Sequence, residues 1–309
     1  MSAMISTILS VLLLVVVGHL IKMRAFVPVS FWDGLSKICY WILFPGLLFN
    51  LTSTASLSAA FILPFCLTLF IAATVMVIYG FLAGRLIGAN GPATSSLVQA
   101  GLRHNGFLML AFVQGAFGVA ALEIGAIAVA VLVPISNIFA VIIIFLLREG
   151  DQDANLGRAI TAELARNPLM GAIILGGIVN FLSIPVPGFI TGAANILGNA
   201  ALPMLLLCVG ASIRISALRA HSAALVLAVL AKLLVLPVVM MVVGITLGLD
   251  KDVLLVLVVL AVAPTATSSF TLAQELGGDA PLMAEIITVQ TLVAAIGIPL
   301  WVLSMTHIL

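Results

Sequence analysis

The chain has 309 residues, of which 63% are apolar and 7% are charged, with 12 Lys and Arg residues against 11 Asp and Glu residues. A soluble domain carries roughly 25% charged and 45–50% apolar residues, so this composition does not cover a water-facing surface. It excludes a cytosolic enzyme, a disordered chain and a nucleic-acid-binding protein, which needs a basic surface. It indicates a multi-span integral membrane protein.

Long, continuous apolar runs favour helices over the alternating segments of about ten residues that build membrane β-barrels. A helical span needs about 20 apolar residues, and polar or Gly/Pro-rich segments divide the chain into two groups of five spans. We predict a first five-helix repeat over 1–150, a cytoplasmic linker over 151–167 and a second repeat over 168–309. The predicted spans are 5–21, 35–51, 61–83, 95–117, 124–147, 168–182, 190–213, 223–247, 253–276 and 282–306.

The placement of Lys and Arg predicts the orientation of these spans. The second, fourth and sixth loops contain no basic residue, and the eighth contains only Lys251. Because positive charge collects on the cytoplasmic side, we expect odd-numbered loops inside and both termini outside, in a cell (inner) membrane. The basic residues of the odd-numbered loops are Lys22, Arg24, Arg85, Arg148, Arg158, Arg166, Arg214 and Arg219.

The two halves share weak but ordered similarities. Pro45 in span two matches Pro203 in span seven, and the Asn105-Gly106 pair of span four matches Ser268 in span nine at nearly the same separation. Five helices per half is an odd number, so the second half must be inverted relative to the first. The pattern predicts an all-α membrane fold of two inverted five-helix repeats.

Span four carries strongly polar residues in the middle of a membrane segment, in the run 99–106 (QAGLRHNG). An Arg at the bilayer centre costs about 2.5–3.5 kcal/mol on insertion scales, and Asn-Gly is a poor helix interior. We expect the helix to unwind near Asn105 and Gly106 and to expose backbone groups toward an internal site. Alternatively, Arg103 is internally paired, and His104 and Asn105 are hydrogen-bonded packing residues.

Span nine has a comparable interruption in the run 264–269 (PTATSS). Pro264 removes one backbone donor and crowds the preceding turn, while Thr265, Thr267 and Ser268 supply hydroxyls to a ligand or to freed carbonyls. The alternative is a proline kink in a continuous helix. Interrupted helices at equivalent places in two halves indicate the midplane binding site of a transporter.

The charged residues that enter the membrane are cations. None of the 11 acids falls clearly in the central third of a span, whereas Arg103 does, and Lys232 lies within span eight as either a snorkelling or a cavity-lining cation. A positive midplane site favours a small organic anion, with carboxylates as the obvious class. The coupling ion, a proton or sodium, stays open. The scattered Cys and His residues show no metal-ligand spacing, and we expect no cofactor or metal.

The chain resembles the auxin efflux carrier family, and specifically its bacterial malate- and malonate-permease-like members. The similarity extends over the full length, and the order and spacing of its motifs are more specific than any one of them. The matching stretches are 43–49 (LFPGLLF), 103–107 (RHNGF), 134–137 (PISN), 167–168 (NP), 202–206 (LPMLL), 264–266 (PTA) and 276–279 (LGGD).

This resemblance implies the ten-helix fold shared with bile-acid symporters and sodium–proton antiporters, in which spans four and nine cross at unwound centres. Spans one, two, six and seven form a scaffold domain, and spans three to five and eight to ten form a transport domain. The crossover asparagine of the family corresponds to Asn105. Many members have a second asparagine after Pro-Thr-Ala, where this chain has Thr267, Ser268 and Ser269.

The sequence therefore predicts a secondary active transporter of a mono- or dicarboxylate that works by elevator-like alternating access, and not an enzyme. A membrane receptor for an organic anion on the same fold is the alternative. A homodimer through the scaffold is expected by analogy. The predicted substrate-binding residues are Arg103, His104, Asn105, Gly106, Pro264, Thr265, Thr267, Ser268, Pro45, Asn50, Pro203 and Lys232.

Overall fold

The computed structural model describes residues 2–55, 59–149, 155–213 and 222–308, and the secondary structure in these ranges is entirely helical. The basic residues Arg214 and Arg219 and the linker residues 151–154 lie outside the described ranges. The helices of the first half are α1 (Ser2–Met23), α2 (Val29–Ile38), α3 (Phe44–Thr54), α4 (Ala59–Leu86), α5 (Gly91–Leu102) and α6 (Gly106–Leu147).

The second half begins with a short helix in the predicted linker. Its helices are α7 (Leu156–Ala165), α8 (Pro168–Phe181), α9 (Gly188–Ser212), α10 (Ser222–Leu230), α11 (Leu236–Thr246), α12 (Lys251–Val262), α13 (Ser268–Leu276) and α14 (Ala280–Ile308).

Six apolar helical stretches in the described ranges are long enough to cross a bilayer, and the bent pair Leu156–Ala165 and Pro168–Phe181 would make a seventh. The protein is therefore a multi-span helical membrane protein. The number is below ten for four reasons. Predicted spans four and five lie in one stretch, Gly91–Leu147, and predicted span nine is divided between α12 and α13. Predicted span one corresponds to a shorter apolar helix, Leu9–Met23, and predicted span six belongs to the bent pair. The ten-span topology stays a prediction.

Two short π-helical segments, Cys39–Leu43 and Ala231–Val235, each end two residues before a proline, Pro45 and Pro237. Proline cannot donate a backbone hydrogen bond, and its ring crowds the carbonyl one turn earlier. A turn widened by one residue relieves this crowding. Accordingly the residue before each proline donates its N–H five residues back, as Leu236 does to the carbonyl of Ala231.

The chain divides into two compact units. The first contains Met1–Ser58, Phe107–Ala130 and Ala165–Ile213. Within it, α9 packs against α1 so closely that a Cβ on Gly210 would overlap the Val15 carbonyl. The side-chain amide of Asn180 on α8 donates to the carbonyls of Ser53 and Ala55, at 3.0 and 2.8 Å, and so satisfies the C-terminus of α3.

The second unit contains Ala59–Gly106, Val131–Leu164 and Arg214–Leu309. In this unit α4 packs on α5 and α11, and α10 and α12 pack on α14. The linker helix α7 packs apolar side chains, including Leu156 and Ile160, against a cluster that contains Ile144 and Leu272. Most of the predicted site residues belong to this unit.

Candidate functional site

Two helices of the second unit end abruptly and restart after a few residues. Helix α5 ends at Leu102 and α6 begins at Gly106, and Arg103 between them has an extended backbone, with φ −89° and ψ 144°. Helix α12 ends at Val262 and α13 begins at Ser268. We call residues 103–105 the first gap and residues 263–267 the second gap. The residue before Pro264 is extended, as the proline ring requires.

The two gaps are hydrogen-bonded to each other. The backbone N–H of Asn105 donates to the carbonyl of Pro264 at 2.7 Å. The hydroxyl of Thr265 lies 2.9 Å from the carbonyl of Ala100, in the last turn of α5. These contacts satisfy backbone groups that an uninterrupted helix would satisfy internally, and they fix the first gap against the second.

Gln290 on α14 hydrogen-bonds to three elements at this place, and it is not among the site residues predicted from the sequence. Its side-chain oxygen lies 2.9 Å from the N–H of Thr265 and 2.7 Å from the Thr265 hydroxyl. Its side-chain nitrogen donates to the carbonyls of Ala100, at 3.2 Å, and Ala228, at 2.7 Å. The available signal was an amide within the apolar segment 282–306. Such a buried group needs partners.

Arg103 links two further elements, α6 and α13, to the first gap. Its Nη2 donates to Oδ1 of Asn137 on α6 at 2.9 Å and to Oγ of Ser268, the first residue of α13, at 3.1 Å. Only 5% of the Arg103 residue surface is exposed. Asn137 belongs to the PISN motif that supports the family resemblance, but the sequence alone gave it no role in the site.

The hydroxyl residues in the second gap and at the start of α13 differ in their exposure. Thr265 is fully buried and its hydroxyl is engaged by Ala100 and Gln290, whereas Thr267 and Ser268 are exposed. Thr267 and Ser268 also lie at the N-terminus of α13, where helix N–H groups give a partial positive charge. Thr265 thus stabilises the gap, and the next hydroxyls are accessible to a ligand.

Three polar side chains near the first gap have no hydrogen-bond partner in the described part of the chain. The atoms concerned are both side-chain amide atoms of Gln99, both ring nitrogens of His104 and the amine nitrogen of Lys232. His104 is half-buried, and Lys232 lies near enough to interact with it electrostatically. Gly106 differs, because its N–H donates to the carbonyl of His104 at 3.0 Å.

The remaining predicted site residues belong to the first unit. Pro45 lies in the first turn of α3, and Pro203 lies within α9. Asn50 donates its side-chain amide to Oδ1 of Asn195 at 2.8 Å. The structure therefore places nine of the twelve predicted residues in the second unit and these three in the first.

Comparison with known families gives one match. A family model described as membrane transport protein matches residues 3–302, which is nearly the whole chain. No curated protein matches the sequence at a significant level.

Proposed function

Because the chain belongs to the auxin efflux carrier family of membrane transport proteins, we propose that it is a secondary active transporter of a small organic anion, a mono- or dicarboxylate. The observation that carries the proposal is the hydrogen bond between the two gaps, from Asn105 to Pro264, beside the buried cation Arg103. Interrupted helices that meet inside a membrane protein supply backbone groups and helix ends to a ligand.

The anion is bound by groups that carry positive charge or donate hydrogen bonds. Arg103 and Asn105 approach it from the first gap, and the exposed hydroxyls of Thr267 and Ser268 approach it from the second. Pro264 and Thr265 fix the backbone conformation of the second gap on its buried side. Lys232 lies beside the first gap, next to His104. When its amine takes up a proton, the resulting positive charge favours an anion over a cation in a medium of low dielectric constant.

The proposed topology has ten spans in two inverted repeats, with both termini extracytoplasmic. The stretch Gly91–Leu147 has 57 residues, or about 85 Å of helix at 1.5 Å per residue, which is nearly three times the thickness of the bilayer core. Gly118 supplies a break within it, since its φ of 82° and ψ of −167° are not helical. Helices α12 and α13 then form the two halves of span nine.

Transport follows from alternating access. The second unit carries the gaps, Arg103 and Gln290, and the hydrogen bonds among them let these residues move as one body across the membrane. Pro45, Asn50 and Pro203 belong to the scaffold domain, through which a homodimer is expected by analogy.

Counterflow in proteoliposomes tests this proposal. Purified protein is reconstituted with unlabelled malate, malonate, lactate or indole-3-acetate inside, and accumulation of the same labelled anion is followed. We expect counterflow with at least one carboxylate in wild-type protein, none in Arg103→Ala, and wild-type rates in Arg85→Ala, which removes an exposed arginine from the end of α4. Binding of a carboxylate without counterflow would contradict the proposal.

A further inference from the structure

Lys232 occupies an unusual place for a lysine. It lies on the π-helical segment Ala231–Val235, and 1% of its surface is exposed. Its Nζ atom has no hydrogen-bond partner among the described residues. A lysine that reaches the surface of a membrane protein keeps its amine in water, and this one does not.

The backbone around Lys232 is held in position by side chains of the neighbouring helices. The hydroxyl of Tyr79 donates to the carbonyl of Leu227 at 2.8 Å, and the amide of Gln290 donates to the carbonyl of Ala228. The indole N–H of Trp301 donates to the carbonyl of Leu233 at 2.6 Å. The acceptor carbonyls lie in the last turn of α10 and within the π-helical segment. Turns of π-helix occur frequently at functional sites.

The elements packed against this segment are α4, α5, α10, α11, α12 and α14. His104 lies near enough to Lys232 to interact with it electrostatically, and no group in the described ranges hydrogen-bonds to the Lys232 amine. Glu285 on α14 has an interaction of its own. The buried or half-buried titratable groups on or next to these elements are Cys66, Tyr79, Arg103, His104 and Glu285, and the exposed ones are Arg85, Lys251 and Asp252.

An ammonium in this surrounding is costly, because no hydrogen-bond acceptor in the described ranges compensates for the loss of water. A methionine of similar length would fill the same space without that cost. An anion bound at the neighbouring first gap stabilises the charged form of the amine. The geometry therefore links the charge of Lys232 to the occupancy of the anion site.

We propose that Lys232 is the proton-coupling group of the carrier, an inference that rests on the proposed function. The neutral amine takes up one proton as the carboxylate binds, the ammonium and the anion cross together, and the proton leaves with the anion on the other side. The proposal names a proton as the coupling ion, because Lys232 and His104 both bind protons and neither has a hydrogen-bond partner in the described ranges.

The thermodynamic linkage between proton binding and anion binding sets the size of the effect that we expect. If each anion binds with one proton, the affinity for the anion increases as the pH falls, by up to about tenfold per pH unit. Lys232→Arg carries a permanent charge, and Lys232→Met carries none. Lys251→Met is the control, because Lys251 is an exposed lysine at the start of α12 in the same unit.

The experiment measures counterflow, anion-dependent movement of protons into the lumen with an enclosed pH dye, and the pH dependence of the apparent affinity. The anion is the carboxylate that gives the strongest wild-type counterflow in the panel. We expect wild-type protein and Lys251→Met to move protons with the anion, and Lys232→Arg to keep counterflow with a flat pH dependence and no proton movement. Lys232→Met should lose at least about tenfold in affinity at acidic pH.

Two results overturn the inference while the proposed function stands: proton movement that persists in Lys232→Arg, or accumulation driven by a sodium gradient in wild-type protein. Absence of counterflow with every carboxylate in wild-type protein instead contradicts the proposed function itself. If Lys232→Met does not fold, Lys232→Arg alone still decides between these outcomes.

Discussion

The backbone N–H of Asn105 donates a 2.7 Å hydrogen bond to the carbonyl of Pro264, although the two residues are far apart in the chain. Each residue lies where a helix has ended, so neither group has a partner within its own helix. The bond therefore compensates for both interruptions at once. It makes the two gaps one structural feature.

Pro264→Ala should impair transport more than folding. Alanine restores a backbone N–H and removes the ring that forces the preceding residue to be extended, so that α12 and α13 can join in one helix and the Asn105 bond is lost. We expect counterflow to fall at least about tenfold, which corresponds to about 1.4 kcal/mol. Pro299→Ala is the matched control, since Pro299 lies inside the continuous helix α14, and it should retain counterflow.

Gln290→Leu should destabilise the protein. It leaves the N–H of Thr265 and the carbonyls of Ala100 and Ala228 buried without this partner, and each such group costs about 1–3 kcal/mol. We expect a loss of roughly 2–5 kcal/mol in unfolding free energy, seen as a lower melting temperature in detergent. Thr288→Val on the same helix should cost about 1 kcal/mol or less, because its hydroxyl bonds only one turn back, to Ala284. Equal losses in the two variants would argue against a special role for Gln290.

Asn137→Asp should weaken anion binding without unfolding the protein. Oδ1 of Asn137 accepts a hydrogen bond from Arg103 at 2.9 Å, so an aspartate would pair with the guanidinium and cancel its charge. We expect the apparent KM for the transported anion to rise at least about tenfold with the melting temperature kept. Asn195→Asp places the same change in the first unit, where it should leave KM unaltered. An unchanged KM in Asn137→Asp would show that the Arg103 charge does not attract the anion.

Labelling of introduced cysteines tests the inverted topology. Arg85 is exposed at the end of α4 and Lys251 is exposed at the start of α12. In a background with the three native cysteines replaced by serine, an impermeant maleimide added to intact cells should label Lys251→Cys and not Arg85→Cys. Opening the cells should make Arg85→Cys reactive. The reverse pattern would overturn the predicted orientation, and labelling of both from outside would exclude the inverted repeat.

Features with a local chemical cause could be predicted from the sequence. The interruption of the helix at Asn105-Gly106 follows from poor helix propensity, and the one at Pro264 follows from a missing N–H. The two π-helical segments Cys39–Leu43 and Ala231–Val235 have the same kind of cause, because Pro45 and Pro237 follow them. In the predicted linker, the charged residues obscured the apolar face that α7 forms with Leu156 and Ile160.

Features that depend on partners distant in sequence could not be predicted in the same way. The side chain of Gln290 hydrogen-bonds to the N–H of Thr265 and to the carbonyls of Ala100 and Ala228. These backbone groups need a side-chain partner because a helix ends or widens nearby. The hydroxyl of Thr265 shows the same dependence on tertiary contacts, and its role as a ligand stays a prediction. Its hydroxyl has the right chemistry, but packing engages it within the protein and leaves Thr267 and Ser268 exposed. Propensity identifies a gap, and only tertiary contacts decide which of its groups face a ligand.

A density map of the protein, with the carboxylate that gives counterflow bound to it, tests the central claim most directly. We expect two interrupted helices, joined between Asn105 and Pro264, with density for the carboxylate against Arg103, Thr267 and Ser268. Continuous helices through residues 103–105 and 263–267, packed without ligand, would contradict it.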